Sequence, residues 1–372
     1  MLTTTLKLSL TNRQESDLER WLWHLTGVYN WAIRKVELDA QDGFYRSDFD
    51  LIRLLTGHGQ KVGIPAHTMA AAVRSAHSAW QRCYKQLAGK PKLKGARNRL
   101  RYVVFPDPLQ QPNGQRIKLP LIGSVKFHKQ ELPHGRIKCG TLIKRPSGWY
   151  LCLSVDADRE RVSPTGQGIV GIDPGFKELL ALSNGTLVEH PRELEQCARR
   201  LGQSQRGSNR KQTARLQERI ANQRKDRNHK LSRRLVAANQ VIAFSKDNLK
   251  GLSRIFGKSV ASSSHYQLRS MLAYKCRAGG RQYIEVPSRN STKTCSACGS
   301  LSGPTGYAGL KVRQWQCDAC GAEHDRDINA AINTLIVGLG LSHERYREIA
   351  PENPRVRVGH SLLGVPFSKL TE

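Results

Sequence analysis

The feature that most constrains the fold is a quartet of cysteines, Cys295-x2-Cys298 and Cys317-x2-Cys320, the two pairs separated by eighteen residues. Each Cys-x-x-Cys pair brings two sulfurs within reach of one ion, and Gly299 and Gly321 permit the tight turn that each pair needs. Four thiolates make a closed zinc site with no position left for water, so this Zn²⁺ is expected to hold the chain together and not to catalyse. A redox pair needs only one such motif, and iron on the same ligands is the minor alternative. The other five cysteines, Cys83, Cys139, Cys152, Cys197 and Cys276, show no spacing pattern. An odd thiol count, and a start (MLTTTLKLSLTNRQ) without the apolar core of a signal peptide, point to a reducing cytoplasm and not to a disulfide framework.

The charge balance constrains the partner. Sixty Lys and Arg stand against 30 Asp and Glu, a formal net charge of +30. Such an excess repels itself in a folded chain unless a polyanion neutralises it, which points to nucleic acid, a ribosomal or solubility-driven composition being the bland alternative. With 38% hydrophobic residues the 372-residue chain can bury a real core, and it has room for two or three units of roughly 100–200 residues. No run of about 18 apolar residues occurs, so no membrane span is expected.

The pattern along the chain changes twice. Thr5–Leu10 alternates like a strand, and Thr11 with Gln14 forms a capping box that opens a helix. Leu18, Trp21, Leu22, Leu25, Val28, Tyr29, Ala32, Ile33 and Val36 recur at helical steps, as do Met69, Val73, Ala76, Trp80, Tyr84 and Leu87 before Gly89. Both stripes read as core. The basic run KPKLKGARNRLR follows, and then short strand-like runs (RYVVF, QRIKLP, GSVKF, GRIKCGTLIKR, GWYLCLSV) between turns suggest a small barrel. Because Thr5–Leu10 is strand-like too, the helices read as an insertion into that barrel, and 156–168 reads as a linker.

A third section opens with IVGID at 169–173 and a Pro174-Gly175 turn. Glu178–Ser183 and Thr186–Glu189 flank Asn184-Gly185, a strong hairpin signal. Two antiparallel strands after an aspartate-bearing strand begin an RNase H-like sheet. Residues 192–240 read as very basic helix. Val241–Phe244 and Tyr283–Val286 read as further strands with a helix around Tyr266–Lys275 between them, and Asp327 opens a last helix. The stretch from Ser342 shows no pattern.

These residues resemble the TnpB family, encoded by insertion sequences and ancestral to type V CRISPR effectors. The resemblance rests on GIDPG at 171–175, RKDRNHKLSR at 224–233, STKTCSACG at 291–299 and CDACGAEHDRDINAAINT at 317–334. GVYNWAI at 27–33, KPKLKG at 90–95 and KLPLIGSVKF at 118–127 extend it across roughly residues 1–340. The resemblance implies an α+β multidomain chain. A wedge-like β-barrel (1–10 and 90–165) would carry a helical recognition insertion (11–89). An RNase H-like, RuvC-type α/β domain (166–291 and 324–340) would carry an inserted zinc ribbon (292–323), with a tail at 341–372. It implies an endonuclease that binds a transposon-encoded guide RNA and cuts double-stranded target DNA beside a short motif.

A nuclease of this type needs three carboxylates around two Mg²⁺ ions about 4 Å apart. Asp173 matches the first and Asp327 the last. Asp325 reads as a surface charge or as a group supporting the site. The middle position, a glutamate in the family, is Ser245 here, in IAFSKDNLKGL. Either the carboxylate has moved, to Glu285 in QYIEV or less readily to Asp247, or it is lost and the chain is an RNA-guided DNA binder that acts like a repressor. Glu285 as an edge-strand glutamate paired with an arginine is the competing reading of that residue. A plain zinc-ribbon DNA binder would leave the spaced aspartates unexplained, and a DNA-joining transposase is disfavoured by the resemblance.

Phosphate contacts are expected first at Lys90, Lys92, Lys94, Arg97 and Arg99, and next at Arg224, Lys225, Arg227 and Lys230, with solvated faces as the alternative. His229 reads as an RNA contact or a packing residue. Among Trp21, Trp23 and Trp31, candidates for stacking on bases, Trp21 belongs to the core stripe.

Overall fold

A computed structural model describes residues 1–157, 164–190, 193–309 and 311–349. The chain forms two units, Met1–Glu160 and Arg161–Glu372. Of the linker expected at 156–168, residues 158–163 lie outside those described.

In the first unit, strand β1 (Leu2–Ser9) leads into helix α1 (Asn12–Gln41), where Thr11 and Gln14 form the expected capping box. Two short helices that the sequence did not suggest, α2 (Asp48–Arg53) and α3 (His58–Val62), precede α4 (Ala66–Tyr84). Five strands follow: β2 (Tyr102–Phe105), β3 (Arg116–Leu119), β4 (Gly123–Phe127), β5 (Arg136–Arg145) and β6 (Gly148–Asp156). They join β1 in one antiparallel sheet of order β2-β5-β6-β1-β4-β3. Leu2–Lys7 of β1 pair with β6, and Leu8–Ser9 pair with β4, so β1 passes from one partner to the other. Among the described residues the two end strands of this order, β2 and β3, do not pair with each other, so the expected small barrel is present as one six-stranded sheet.

The apolar stripe of α1 is buried throughout, and it shares one core with α4 and the sheet. Trp21 packs on Phe105 of β2 with ring centroids 6.4 Å apart, and the Trp80 indole N–H donates to the Ile33 carbonyl at 3.0 Å. The α4 stripe ends earlier than its periodicity suggests. Tyr84 and Leu87 are exposed because the helix stops at Tyr84, and Gln86 turns the chain with a φ of 56°.

The second unit is built on strands β7 (Gly168–Pro174), β8 (Glu178–Leu182) and β9 (Leu187–Glu189). Helices α5 (Glu193–Arg206) and α6 (Arg210–Ala238) lead to strand β10 (Asn239–Lys246). Helices α7 (Leu249–Ser263) and α8 (His265–Ala278) then lead to β11 (Gln282–Pro287). The sheet order is β11-β10-β7-β8-β9. Strands β7, β8 and β9 form an antiparallel meander, whereas β10 lies parallel to both β7 and β11. The cysteine region contributes α9 (Gly306–Gly309), β12 (Gln314–Gln316) and β13 (Glu323–Asp325). Helix α10 (Arg326–Leu339) and helix α11 (His343–Ile349) complete the described chain. Helix α11 corrects the patternless tail: Tyr346 is buried in the same core as α10.

Both faces of this sheet are covered, which is why β7 and β10 read as near-continuous apolar runs. Side chains alternate between faces along a strand. Ile169, Val241, Ala243, Ile284 and Val286 point to α10, whereas Val170, Ile172, Ile242, Phe244 and Tyr283 belong to the core formed with α6 and α8. Gly171 sets how closely α10 approaches. A Cβ there would lie 2.1 Å from the Ala331 carbonyl oxygen, so only glycine lets the helix backbone rest on the strand.

Candidate active site and metal centre

The alternation of the sheet decides which carboxylates can meet. Phe244 is in register with Ile172 on one side and Glu285 on the other. Ile172, Phe244 and Glu285 therefore share the α8 face, while Asp173, Ser245 and Val286, one residue further along each strand, share the α10 face. Asp173 lies near the C-terminal end of β7, and Asp247 immediately follows the parallel strand β10, so both sit at the same end of the sheet. Asp327 is in the first turn of α10, on that same face. Ligand-binding groups gather at this end of open α/β sheets.

The electrostatics agree with this placement. Burial, reinforced by the carboxylates of Asp247 and then Asp327, pushes the Asp173 carboxyl well above its ordinary range, against smaller easing from Ser245 and Arg326. Burial also raises Asp247, against a hydrogen bond from Ser288. Ser245 is buried, and its hydroxyl has no hydrogen-bond partner of good geometry. Like charges crowded at a half-buried strand end favour a cation or a shared proton. Asp247 and Asp327 are each within electrostatic reach of Asp173, without the three forming a group as tight as the cysteines.

Glu285 is not brought to this set, and that corrects its candidacy as the middle carboxylate. From the opposite face of the edge strand it pairs with Lys246 at 3.0 Å and with Arg269 of α8 at 3.3 Å. Its chemistry is met there, as the competing reading held. Asp247, the lesser substitute in sequence terms, takes the position beside Asp173. Asp325 is neither a free surface charge nor a member of the set. It caps α10, accepting from the Asp327 and Ile328 N–H groups at 3.0 Å. Ser245, which the sequence placed at the middle position, is buried beside Asp173, and one neighbour had no signal in the sequence: Arg313, which pairs with Asp327 at 2.9 Å.

The crowding carries a stability cost that can be measured. A carboxyl raised in the folded state is neutral in both states below its unfolded value; its cost to folding grows as pH rises above that value and is complete once pH exceeds its folded value. Asp173→Asn is therefore expected to raise the melting temperature of the protein in Mg²⁺-free buffer at neutral pH, with the gain shrinking as pH falls towards 4. Each 1 kcal/mol relieved shifts the midpoint by roughly 2–4 °C in a domain of this size. An unchanged midpoint at neutral pH would show that the site does not strain the fold.

The cysteine quartet assembles as the spacing requires. The Sγ atoms of Cys295, Cys298, Cys317 and Cys320 all lie within 4.8 Å of one another. Cys295 and Cys320 are 3.7 Å apart, as are Cys298 and Cys317. A tetrahedral ion with bonds of about 2.3 Å to sulfur sets its ligands about 3.8 Å apart, so the cage fits zinc. Burial opposes ionisation of Cys317, but hydrogen bonds from Ser300, Ser302 and the Cys320 and Ala319 N–H groups outweigh it and hold the thiol at about 5. The ring of His324 reaches Cys295 Sγ at 3.1 Å and packs on Trp315 at 4.7 Å.

The basic clusters divide. Lys90 and Lys92 are exposed, as is Arg97, while Lys94 lies over the Tyr29 ring at 5.0 Å and Arg99 pairs with Glu19 at 2.7 Å. In the second cluster Lys225 and Lys230 are exposed, Lys230 pairing with Asp226 at 2.7 Å. Arg224 and Arg227 are turned inward. Arg224 donates to the Ala261 carbonyl, and Arg227 binds Glu193 at 3.1 Å and Ser264 Oγ at 3.1 Å. The His229 carbonyl accepts from Lys275 Nζ at 2.7 Å. No helix among the described residues is long and apolar enough to cross a membrane.

Comparison with known proteins follows the same division. The family OrfB_IS605, described as "Probable transposase", matches residues 151–255, and the "Cas12f1-like, TNB domain" family matches residues 265–334. A Streptomyces pristinaespiralis protein named "Putative RNA-guided DNA endonuclease" is 35% identical over 228 residues, 57% of this chain and 56% of that protein. The chain thus spans little more than half the length of that relative. "Putative RNA-guided DNA endonuclease InsQ" of Escherichia coli K12 is 24% identical over 305 residues, 74% of this chain and 75% of that one. The fold resembles that of Cas12f1 in a cryo-EM complex with sgRNA and target DNA, with a TM-score of 0.53 at 15% identity, over 86% of this chain and 82% of that one. The two family matches run in series from residue 151 to residue 334 and the 305-residue alignment extends well beyond them, so this chain is similar to the OrfB_IS605 and Cas12f1-like families and to proteins named as RNA-guided DNA endonucleases.

Proposed function

We propose that the protein is an RNA-guided DNA endonuclease whose centre is formed by Asp173, Asp247 and Asp327. The observation that carries this reading is the convergence of the ends of β7 and β10 and the start of α10 on one face of the sheet, with Asp173 strained by the other two carboxylates. A meander of three strands, followed by two strands parallel to the first, is the order of an RNase H-like sheet, which supports a RuvC-type domain over 166–291 and 324–340. The zinc ribbon would occupy 292–323, and the six-stranded sheet with its helices would serve as the wedge (1–10 and 90–165) and recognition (11–89) parts.

Two Mg²⁺ ions, when bound, would activate the attacking water and stabilise the leaving oxygen of the cut strand. The chain supplies the rest. Asp173 and Asp247 present negative charge from rigid strand ends, Asp327 closes the set from the helix, and Asp325 fixes the first turn that aims Asp327. Arg313 must release Asp327 for that carboxylate to turn to the ions. The net charge of +30 suits a guide RNA and a DNA duplex held through their phosphates, with base pairing supplying the sequence. Lys90, Lys92, Arg97, Lys225 and Lys230 are the exposed candidates for that grip. The Zn²⁺ is structural.

Ser245 favours a second reading, guided binding without cutting, because a serine supplies no charge where the family carries a glutamate. One experiment separates the two. Protein co-purified with RNA from its own locus is offered a plasmid library with and without Mg²⁺. Mg²⁺-dependent cuts at guide-matched sites support the nuclease. Guided binding with no cuts under either condition supports a protein that acts by occupying DNA.

A further inference from the structure

Helix α1 carries an oddity that the nuclease reading does not use. Gly27 sits in the middle of a 30-residue helix, where glycine is the least favourable residue other than proline. No close approach demands it, since a Cβ there would meet nothing within 4 Å. Four residues to either side stand Trp23, which is 67% exposed, and Trp31, which is half-buried. Residues at steps of four share one helix face. The helix thus presents two indoles with a gap between them, and the gap exists because residue 27 has no side chain.

The basic loop after α4 covers this gap and is held in place from both ends. Asn30 clamps it, accepting from the Lys94 N–H and donating to the Lys94 carbonyl, each at 2.8 Å. The Leu100 N–H donates to Thr26 Oγ1 at 3.1 Å. The result is a cavity of about 590 Å³ lined by Trp23, Gly27, Trp31, Lys94 and Arg99. A second cavity of about 460 Å³ continues along the helix past Trp31 to Arg34. Gly27 and Trp31 border both. Aromatic walls suit an unstacked base, and exposed Arg97, next to the lining residue Ala96, can meet its phosphate while Lys94 and Arg99 hold Tyr29 and Glu19. These volumes fall in the range of roughly 300–1,000 Å³ typical of small-ligand sites.

We propose that this groove binds unpaired nucleotides of single-stranded RNA, one base lodging between Trp23 and Trp31 over Gly27. The proposal rests on the reading that the chain carries an RNA. RNA is favoured over duplex DNA because unpaired bases of loops and ends are already unstacked, whereas a duplex must be opened before a base can enter.

The test uses the full chain and three fluorescein-labelled probes: a short unstructured single-stranded RNA, the DNA of the same sequence, and its duplex. Gly27→Leu fills the gap from a position with open space, and Trp23→Ala removes an exposed wall, so both variants should fold, as circular dichroism and an unchanged melting midpoint would show. Each is expected to weaken RNA binding about tenfold, in keeping with the loss of a stacked base, while the slope of affinity against salt stays that of the wild type. Arg97→Glu, beside the groove, should instead lower the slope. Folded Gly27→Leu protein that binds the RNA as the wild type does would overturn the groove. Wild-type protein that binds the duplex as tightly as the RNA would overturn the RNA reading itself, whatever the variants do.

Discussion

Asp247→Asn is expected to lower DNA cleavage by roughly 10²–10³-fold, the scale seen when one charge-stabilising contact is lost from a reacting centre, while guided binding stays at the wild-type level. Glu285→Gln is expected to leave the cleavage rate within about threefold. The contrast follows from strand alternation. Asp247 lies two residues beyond Ser245, beside Asp173, and its charge is the stronger of the two that raise that carboxyl. Glu285 is in register with Phe244, on the face that packs against α8, with Lys246 and Arg269 already paired to it. Asparagine keeps the size of Asp247 and removes only the charge, so a loss in rate without a loss in binding reads on chemistry and not on folding. The measurement is nicking of a guide-matched supercoiled plasmid at saturating Mg²⁺, with a mobility shift to report binding. An inactive Glu285→Gln beside a fully active Asp247→Asn would reverse the assignment and move the centre to the other face.

How this distinction escaped the sequence is instructive. The strand carrying Ser245 and the strand carrying Glu285 were both legible from their apolar runs, as was their adjacency. Their relative register was not, and a slip of one residue exchanges every side chain between faces. Which of Glu285 and Val286 faces the Asp173 side therefore could not be told until the pairing with β10 was known. Asp247 was discounted because Asn-Leu-Lys-Gly reads as a loop. It opens α7 instead, with Asn248 as the cap accepting from the Gly251 N–H at 3.1 Å. Local turn residues and helix caps draw on the same amino acids, and only the following helix distinguishes them.

Other features were fixed by local chemistry and so were readable. The Thr11–Gln14 capping box, the α1 stripe and the cysteine spacing depend on neighbours along the chain, and each appears where expected. The basic clusters were readable only as composition. Whether an arginine faces solvent or bridges two helices depends on what packs beside it, and Glu193 with Ser264 claims Arg227. The same limit applied to Gly27, a residue that periodicity treats as a defect in a helix and that the loop at Lys94–Leu100 turns into the floor of a groove.

Removing the zinc should disable the nuclease without touching a carboxylate. The ribbon has strands of three residues each in β12 and β13, and segments below about 40 residues rarely fold without disulfides or a metal. A structural zinc contributes on the order of 10–16 kcal/mol to such folding, more than any contact within the ribbon could replace. The damage should reach the candidate centre because the first cysteine turn is tied to α10. Asn329 accepts from the Ser296 N–H at 2.9 Å and donates to the Thr294 carbonyl at 2.8 Å, and Asn333 donates to the same carbonyl at 2.6 Å. Asp327 stands two residues before Asn329 and six before Asn333, in the helix that those bonds anchor, and β13 runs directly into its cap at Asp325. Cys317→Ser is accordingly expected to abolish bound zinc by elemental analysis, to open 292–323 to limited proteolysis and to reduce cleavage by at least about tenfold, the lower end of what loss of support around a metal site costs. The first unit, whose core among the described residues draws on none beyond Ala157, should keep its melting transition. Zinc-free protein that resists proteolysis in the ribbon and cuts at the wild-type rate would show that the four thiolates are dispensable to the fold and that α10 is positioned by the sheet alone.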